Sequence, residues 1–158
     1  MSEMCVEPGV GIGPVRLGMT HAEVRAAVAS REIKGQGSRQ RIPGLGLLLE
    51  YTDSDGVVAF IEADRGSGAQ YDGIYLLETP AEEVVAAIVQ AAGLAAVDFP
   101  PRRHSYLFES LRLLLWRSRV ADDEQDEDDE DGRLFQTVSV YAPAYYPEET
   151  LQYLRRGR

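Results

Sequence analysis

Two rhythms of apolar residues run through the chain. Val24, Ala27 and Val28 recur at helical spacing with Arg25 turned outward, the stripe of a helix that buries one face. Thr20 and Glu23 form a capping box, in which the hydroxyl accepts from a first-turn amide and the carboxylate reaches back to the cap amide, so a helix is predicted to begin at His21. Gly18 just ahead suits a tight change of direction. Val84, Val85, Ile88, Val89 and Ala92 repeat the stripe. That second helix is entered through Thr79 as cap and Pro80 at its first position, where a missing N–H costs nothing, and it stops at Gly93. A short third helix is expected over 145–156, with acids in its first turn and arginines in its last to suit the helix dipole.

The second rhythm is that of strands. Residues 47–52 and 57–62 flank Asp53-Ser54-Asp55-Gly56, whose side-chain acceptors and glycine fit a hairpin turn. Residues 70–77 are expected as a strand feeding the second helix. Segments 105–108, 111–117 and 134–141 follow, the first two joined by a tight bend at Glu109-Ser110. The Gly-punctuated basic run 31–41 reads as a solvated link, because it lacks the Gly-Lys-Ser/Thr of a phosphate loop. Short turns favour an antiparallel meander. The predicted fold class is therefore α+β: an antiparallel sheet of about six strands, two main helices on one face and a short C-terminal helix. The two threonine-capped openings, about 60 residues apart, point to a tandem helix–meander unit over 13–77 and 78–142 within a single domain of 1–158.

Composition changes this picture little, and charge changes it locally. At 158 residues and 44% apolar content, one domain can bury a sizeable core without staples, and no run approaches the ~20 apolar residues of a membrane span. Nine of the 26 acidic residues fall between Asp122 and Asp131, so the net charge of −10 sits mostly in one loop, 121–132, and the rest is nearly balanced against 16 basic residues. That loop repels phosphates, which speaks against nucleic acid, and attracts a basic protein. Glu127, Asp129, Asp131 and Gly132 approximate half a calcium loop, but Val138 stands where the closing glutamate belongs. The acidic N-terminus carries no secretion leader, and the lone Cys5, on a loose terminus, suits a reducing cytoplasm.

Catalytic chemistry finds little support. His21 and His104 have no partner at metal-ligand spacing, no Gly-x-Ser-x-Gly turn occurs, and Glu50, Glu62, Glu78 and Glu109 read as solvated strand positions. No enzyme activity, cofactor or metal is expected. The strand-associated aromatics Tyr51, Tyr75, Tyr106, Trp116 and Tyr141, if they share an uncovered sheet face, supply the amphipathic anchors that interfaces favour. With Asp126, Asp128 and Asp129 of the acidic loop they form the candidate partner-binding set. The alternative is a small-molecule-binding domain, or minor enzyme, with a pocket between helix and sheet.

The stretch Gly13-Pro14-Val15-Arg16-Leu17-Gly18-Met19-Thr20-His21-Ala22-Glu23-Val24 resembles the opening of small bacterial proteins of the β-lactamase-inhibitor-protein-like superfamily. The resemblance covers about a dozen residues plus the helix-then-meander order. It implies a sheet whose open face binds another protein. This chain departs from the family in lacking a secretion or lipidation signal and the cysteine pairs of the secreted inhibitors. The implied role is that of a cytosolic relative, such as an immunity protein that masks a toxin.

Overall fold

The computed structural model describes residues 4–121 and 129–157. The α+β class holds. The chain opens with a small antiparallel sheet of three strands, β1 (Val6–Glu7), β2 (Gly11–Ile12) and β3 (Val15–Arg16). Cys5 is not on a loose end: its carbonyl accepts from the Gly13 N–H at 2.9 Å, and its backbone bridges Gln70. α1 (His21–Val28) begins as the capping box requires, with the Thr20 hydroxyl accepting from the Glu23 N–H and the Glu23 carboxylate from the Thr20 N–H, both at 3.2 Å.

After α1 come β4 (Arg39–Ile42), β5 (Leu47–Tyr51) and β6 (Val58–Asp64), then a separate ribbon of β7 (Gln70–Tyr71) and β8 (Ile74–Tyr75). α2 (Ala81–Ala92), β9 (Ser105–Phe108), β10 (Leu113–Trp116), α3 (Glu130–Arg133), β11 (Thr137–Tyr141) and α4 (Glu148–Arg155) complete the order. The main sheet has six strands, ordered β4-β5-β6-β11-β10-β9 with every neighbour antiparallel.

Its membership differs from the expected one at one strand. The run read as a basic link contributes β4, because Gln40 and Ile42 alternate inward between the exposed Arg39 and Arg41, a period-two pattern that the basic composition hides. Residues 70–77 leave the sheet instead. Asp72 and Gly73 both take positive φ, 52° and 79°, which is the two-residue hairpin turn that Asp-Gly favours.

The strand order is symmetric about the β6–β11 seam. α1 is followed by β4-β5-β6, and α2 by β9-β10-β11. In each half a 3₁₀ turn follows the first strand, Pro43–Leu45 or Glu109–Leu111, and ends on a left-handed residue, Gly46 or Arg112. Each helix cap bridges to the residue leading into the third strand of its own half, Thr20 to Val57 and Pro80 to Leu134. The second cap is thus Pro80 and not Thr79: Pro80 is held extended at φ −51° and ψ 136°, and no side chain caps this helix.

Both helices lie on one sheet face. Val24 and Val28 of α1 and Val84 and Ile88 of α2 pack into the same core as Leu49, Ile61, Leu113, Leu115, Val138 and Val140. Burial of each such aliphatic side chain is worth about 1.5–3 kcal/mol. Among the described residues no helix is long and apolar enough to cross a membrane.

Candidate binding surface

Alternation along the strands decides which side chains face away from α1 and α2. Cross-strand register places three rows on this second face. The first runs Arg39, Glu50, Phe60 and Tyr141; the second Arg41, Leu48, Glu62, Ser139, Leu114 and Leu107; the third Asp64, Thr137, Trp116 and Ser105.

The face is not left open throughout, as the aromatic pattern had implied. The chain leaving β11 folds back over the first row, where Tyr145 stacks on Phe60 at 5.0 Å and Tyr146 meets Tyr141 edge-on at 4.8 Å. α4 then lies beside β9. Its Arg155 pairs with Glu109 and with Glu148, and the Arg155 carbonyl accepts from the Arg103 guanidinium. Leu48, Ser139 and Leu114 of the second row and Ser105 of the third are buried as well, so the uncovered part is a strip along the third row, from Asp64 through Thr137 to Trp116, with Glu62 half-buried beside Asp64.

The eight candidate residues are scattered. Tyr51 and Tyr106 do not reach an open face: they are 5% and 0% exposed in the core beneath the helices. Tyr141 is on the second face but covered by Tyr146. Tyr75 is half exposed, on the separate ribbon. Asp126 and Asp128 lie outside the described residues. Asp129 caps α3, accepting from the Gly132 N–H at 3.3 Å, and pairs with Arg119. Trp116 alone is both on the strip and open, at 39% exposure.

Residues that composition gave no reason to single out complete the strip. Glu62 sits at its acidic end, and burial pushes its carboxyl up, opposed by Arg41 and Arg39 and reinforced by Glu50 and Asp64. Asp64 is pushed up for the same first reason. Among the described residues, no ion pair within 4 Å uses either carboxylate. With two strand spacings between them, Asp64 and Trp116 stand roughly 10 Å apart. At this end of the sheet Arg65 fastens α3, donating to the Asp131 carboxylate at 2.7 Å and to the carbonyls of Glu130, Leu134 and Phe135. The acid-rich residues 129–131 therefore stand beside Asp64. Counting outward from Phe60, two residues at a time, was the signal that would have placed Glu62 and Asp64 on this face.

Cavities lie at the helix starts and along the outer side of α2. At the start of α2, Glu82, Tyr106 and Arg117 converge. Arg117 is 2% exposed; its guanidinium donates to Glu82 Oε1 at 2.8 Å, to the Gly132 carbonyl at 3.1 Å and to the Arg103 carbonyl at 2.9 Å. The Tyr106 hydroxyl donates to Glu82 Oε2 at 2.9 Å. A cavity of about 280 Å³ opens beside them. At the start of α1, the His21 ring stacks on Tyr51 with centroids 3.7 Å apart, and the Tyr51 hydroxyl donates to Gln40 Oε1 at 2.7 Å. Another cavity of about 280 Å³ adjoins this cluster. Along α2 runs a wider groove of about 530 Å³.

Among the described residues no group of three or more His, Cys, Asp or Glu side chains is placed to hold a metal ion. Compared with known proteins, the chain matches no family model, no curated protein and no solved structure.

Proposed function

We propose that the chain is a non-enzymatic binding module that docks a basic protein on the strip running from Trp116 through Thr137 to Asp64 and Glu62. The observation that carries this reading is an exposed tryptophan on the same strip as two carboxylates that, among the described residues, have no cation within ion-pair distance. Tryptophan supplies a large contact area at low entropic cost. Carboxylates raised by burial gain from an incoming lysine or arginine, which offsets the desolvation they already bear. The net charge of −10 adds long-range attraction for a basic partner, which speeds encounter.

In its narrowest form the partner is a basic toxin masked by this face, as an immunity protein would do. The lone cysteine is consistent with residence in a reducing cytoplasm.

The test is capture from cells in which the chain is native, comparing the wild type with Trp116→Ala and with the double variant Glu62→Lys/Asp64→Lys. A basic protein retained by the wild type is expected to be lost by roughly tenfold or more in either variant, since a central tryptophan commonly carries 2 kcal/mol or more. Raised salt should weaken capture by the wild type. Equal retention by all three proteins would overturn the reading.

A further inference from the structure

The main sheet carries a second apolar layer on the face turned away from α1 and α2. Leu48, Phe60, Leu114 and Tyr141 are buried, at 4% to 9% exposure, yet none of them belongs to the core cluster beneath the helices. What lies over this face is the end of the chain itself: Tyr145 and Tyr146 meet Phe60 at 5.0 and 6.4 Å, Tyr146 also meets Tyr141, and α4 follows beside β9. We propose that residues 143–157 are a displaceable cover, hinged at Pro143-Ala144, and that the basic partner of the strip completes its docking by taking the cover's place with aromatic side chains of its own. The rings now seated there show what chemistry the face accepts, and Glu50 and Glu62 beside the Tyr146 phenol suit a cation carried next to the incoming ring. The visitor's identity rests on the docking reading; the opening of the cover does not.

The cover is fastened at its two ends and loosely between them. The tyrosines hold one end. At the other, the Gly157 carbonyl accepts from the N–H groups of His104 and Ser105 at 3.0 and 3.2 Å. In between, α4 has no buried residue. Its links to the body are the Arg103 guanidinium on the Arg155 carbonyl and the Arg155–Glu109 ion pair, whose side chains are 41% and 44% exposed and so are screened by water and salt. A cavity of about 390 Å³, bounded by Leu154 of α4 and by Leu94, Phe99 and Leu107, leaves the helix without the close contacts that would hold it down.

Closure also carries costs of its own. The Tyr141 hydroxyl is buried with no hydrogen-bond partner among the described residues, a penalty that lasts only while water is kept out. Ala144 is held at φ 66°, a left-handed conformation that a side chain with a β-carbon resists. Opening relieves both but bares the apolar layer, so the uncovered state stays a minor one until something fills it.

The test is thiol labelling of the full chain in a Cys5→Ser background, which removes the lone native thiol. Ser139→Cys puts a thiol at a 2% exposed position on the covered face, and Val138→Cys puts one at its 0% exposed neighbour in the core. Ser139→Cys should react with an aromatic disulfide reagent at least about tenfold faster than Val138→Cys, since only the second waits for global unfolding. Glu109→Gln should speed the Ser139→Cys reaction roughly twofold to fivefold. Thr20→Ala weakens the body and not the cover, so it should speed Val138→Cys about fivefold and leave Ser139→Cys unchanged. In the unaltered protein the N–H groups of Tyr145, His104 and Ser105, which donate to the carbonyls of Ala142 and Gly157, should exchange through one shared opening, well ahead of β6 and β11. With the captured partner bound, those three should exchange faster still; slower exchange would mean docking without displacement and would overturn the replacement. Equal labelling of the two thiols, an equal Thr20→Ala effect on both, or exchange of the three N–H groups only together with the central strands would overturn the cover. The exchange measurement needs neither a variant nor a partner, so the cover can fail while the docking reading holds, and the reverse.

Discussion

The starts of α1 and α2 occupy matching places in the two halves of the sheet, yet they are held by different chemistry. In the first half His21 lies flat on Tyr51, which donates to Gln40. In the second, Glu82 bridges a buried Arg117 and Tyr106. Tyr51 at the end of β5 and Arg117 just past the end of β10 occupy matching places, and Gln40 and Tyr106 sit at matching positions of the strands beside them. The backbone thus fixes where three side chains from a helix start and two strands meet. Residue type then decides whether the meeting point is held by ring stacking and an amide or by an ion pair. The first helix is capped by its own threonine, so its cluster carries no capping duty. The second has no side-chain cap, and its first-turn Glu82 is spent on tertiary partners.

Replacing Arg117 by alanine should separate the halves most sharply. It removes a buried cation with three acceptors, and breaking such a pair costs about 3–5 kcal/mol. Because the Glu82 side chain is 47% exposed, the orphaned carboxylate keeps water and the loss should fall near about 3 kcal/mol, or roughly 10 °C in melting temperature. A double-mutant cycle of Arg117→Met with Glu82→Gln should return a coupling of about 1 kcal/mol or more; additive effects would mean that the pair does not act as a unit.

In the stacked cluster Tyr51→Phe leaves Gln40 short of a buried donor and should cost about 1–2 kcal/mol, read by urea denaturation. At the caps, Thr20→Ala should cost about 1 kcal/mol. Thr79→Ala should stay within about 0.5 kcal/mol, since that hydroxyl caps nothing. Equal losses at the two threonines would erase the proposed asymmetry.

Alkaline pH should act on both halves alike. Burial first of all pushes Tyr51 and Tyr106 up to about 12. A phenol whose folded pKa lies above its unfolded value near 10 stays protonated in the native state while the unfolded chain ionises. Its stabilising effect is therefore whole below pH ~10 and is lost as pH rises toward about 12. Melting temperature should fall across that window, and the fall should shrink in Tyr51→Phe and Tyr106→Phe.

What the sequence disclosed was local, and what it hid was relational. The capping box at Thr20, the α2 stripe and the Asp-Ser-Asp-Gly hairpin are signals carried within a few residues, and each is where it was expected. β4 was missed because its outward positions are arginines, so the run reads as solvent-loving until Gln40 and Ile42 are counted separately. Asp72-Gly73 was a hairpin signal overlooked inside an apparently continuous strand. The tyrosines misled for a physical reason: a phenol is large enough to build a core when its hydroxyl finds a partner, as Tyr51 and Tyr106 do. Aromatic content alone cannot separate that role from an interface role. The internal match of Leu45-Gly46-Leu47-Leu48-Leu49 with Leu111-Arg112-Leu113-Leu114-Leu115 would have aligned Tyr51 with Arg117 and exposed the charged cluster in advance.

The rims of the main sheet carry a last consequence. On the β4 side Arg41 exchanges two hydrogen bonds with Lys34, both at 2.8 Å, and on the β9 side the N–H groups of His104 and Ser105 donate to the Gly157 carbonyl at 3.0 and 3.2 Å. At these positions an extended peptide finds the docking groups already spoken for, which hinders lengthening of the sheet by a guest strand there. Trimming the chain from Arg156 onward would unlatch one rim and invite sticking between copies.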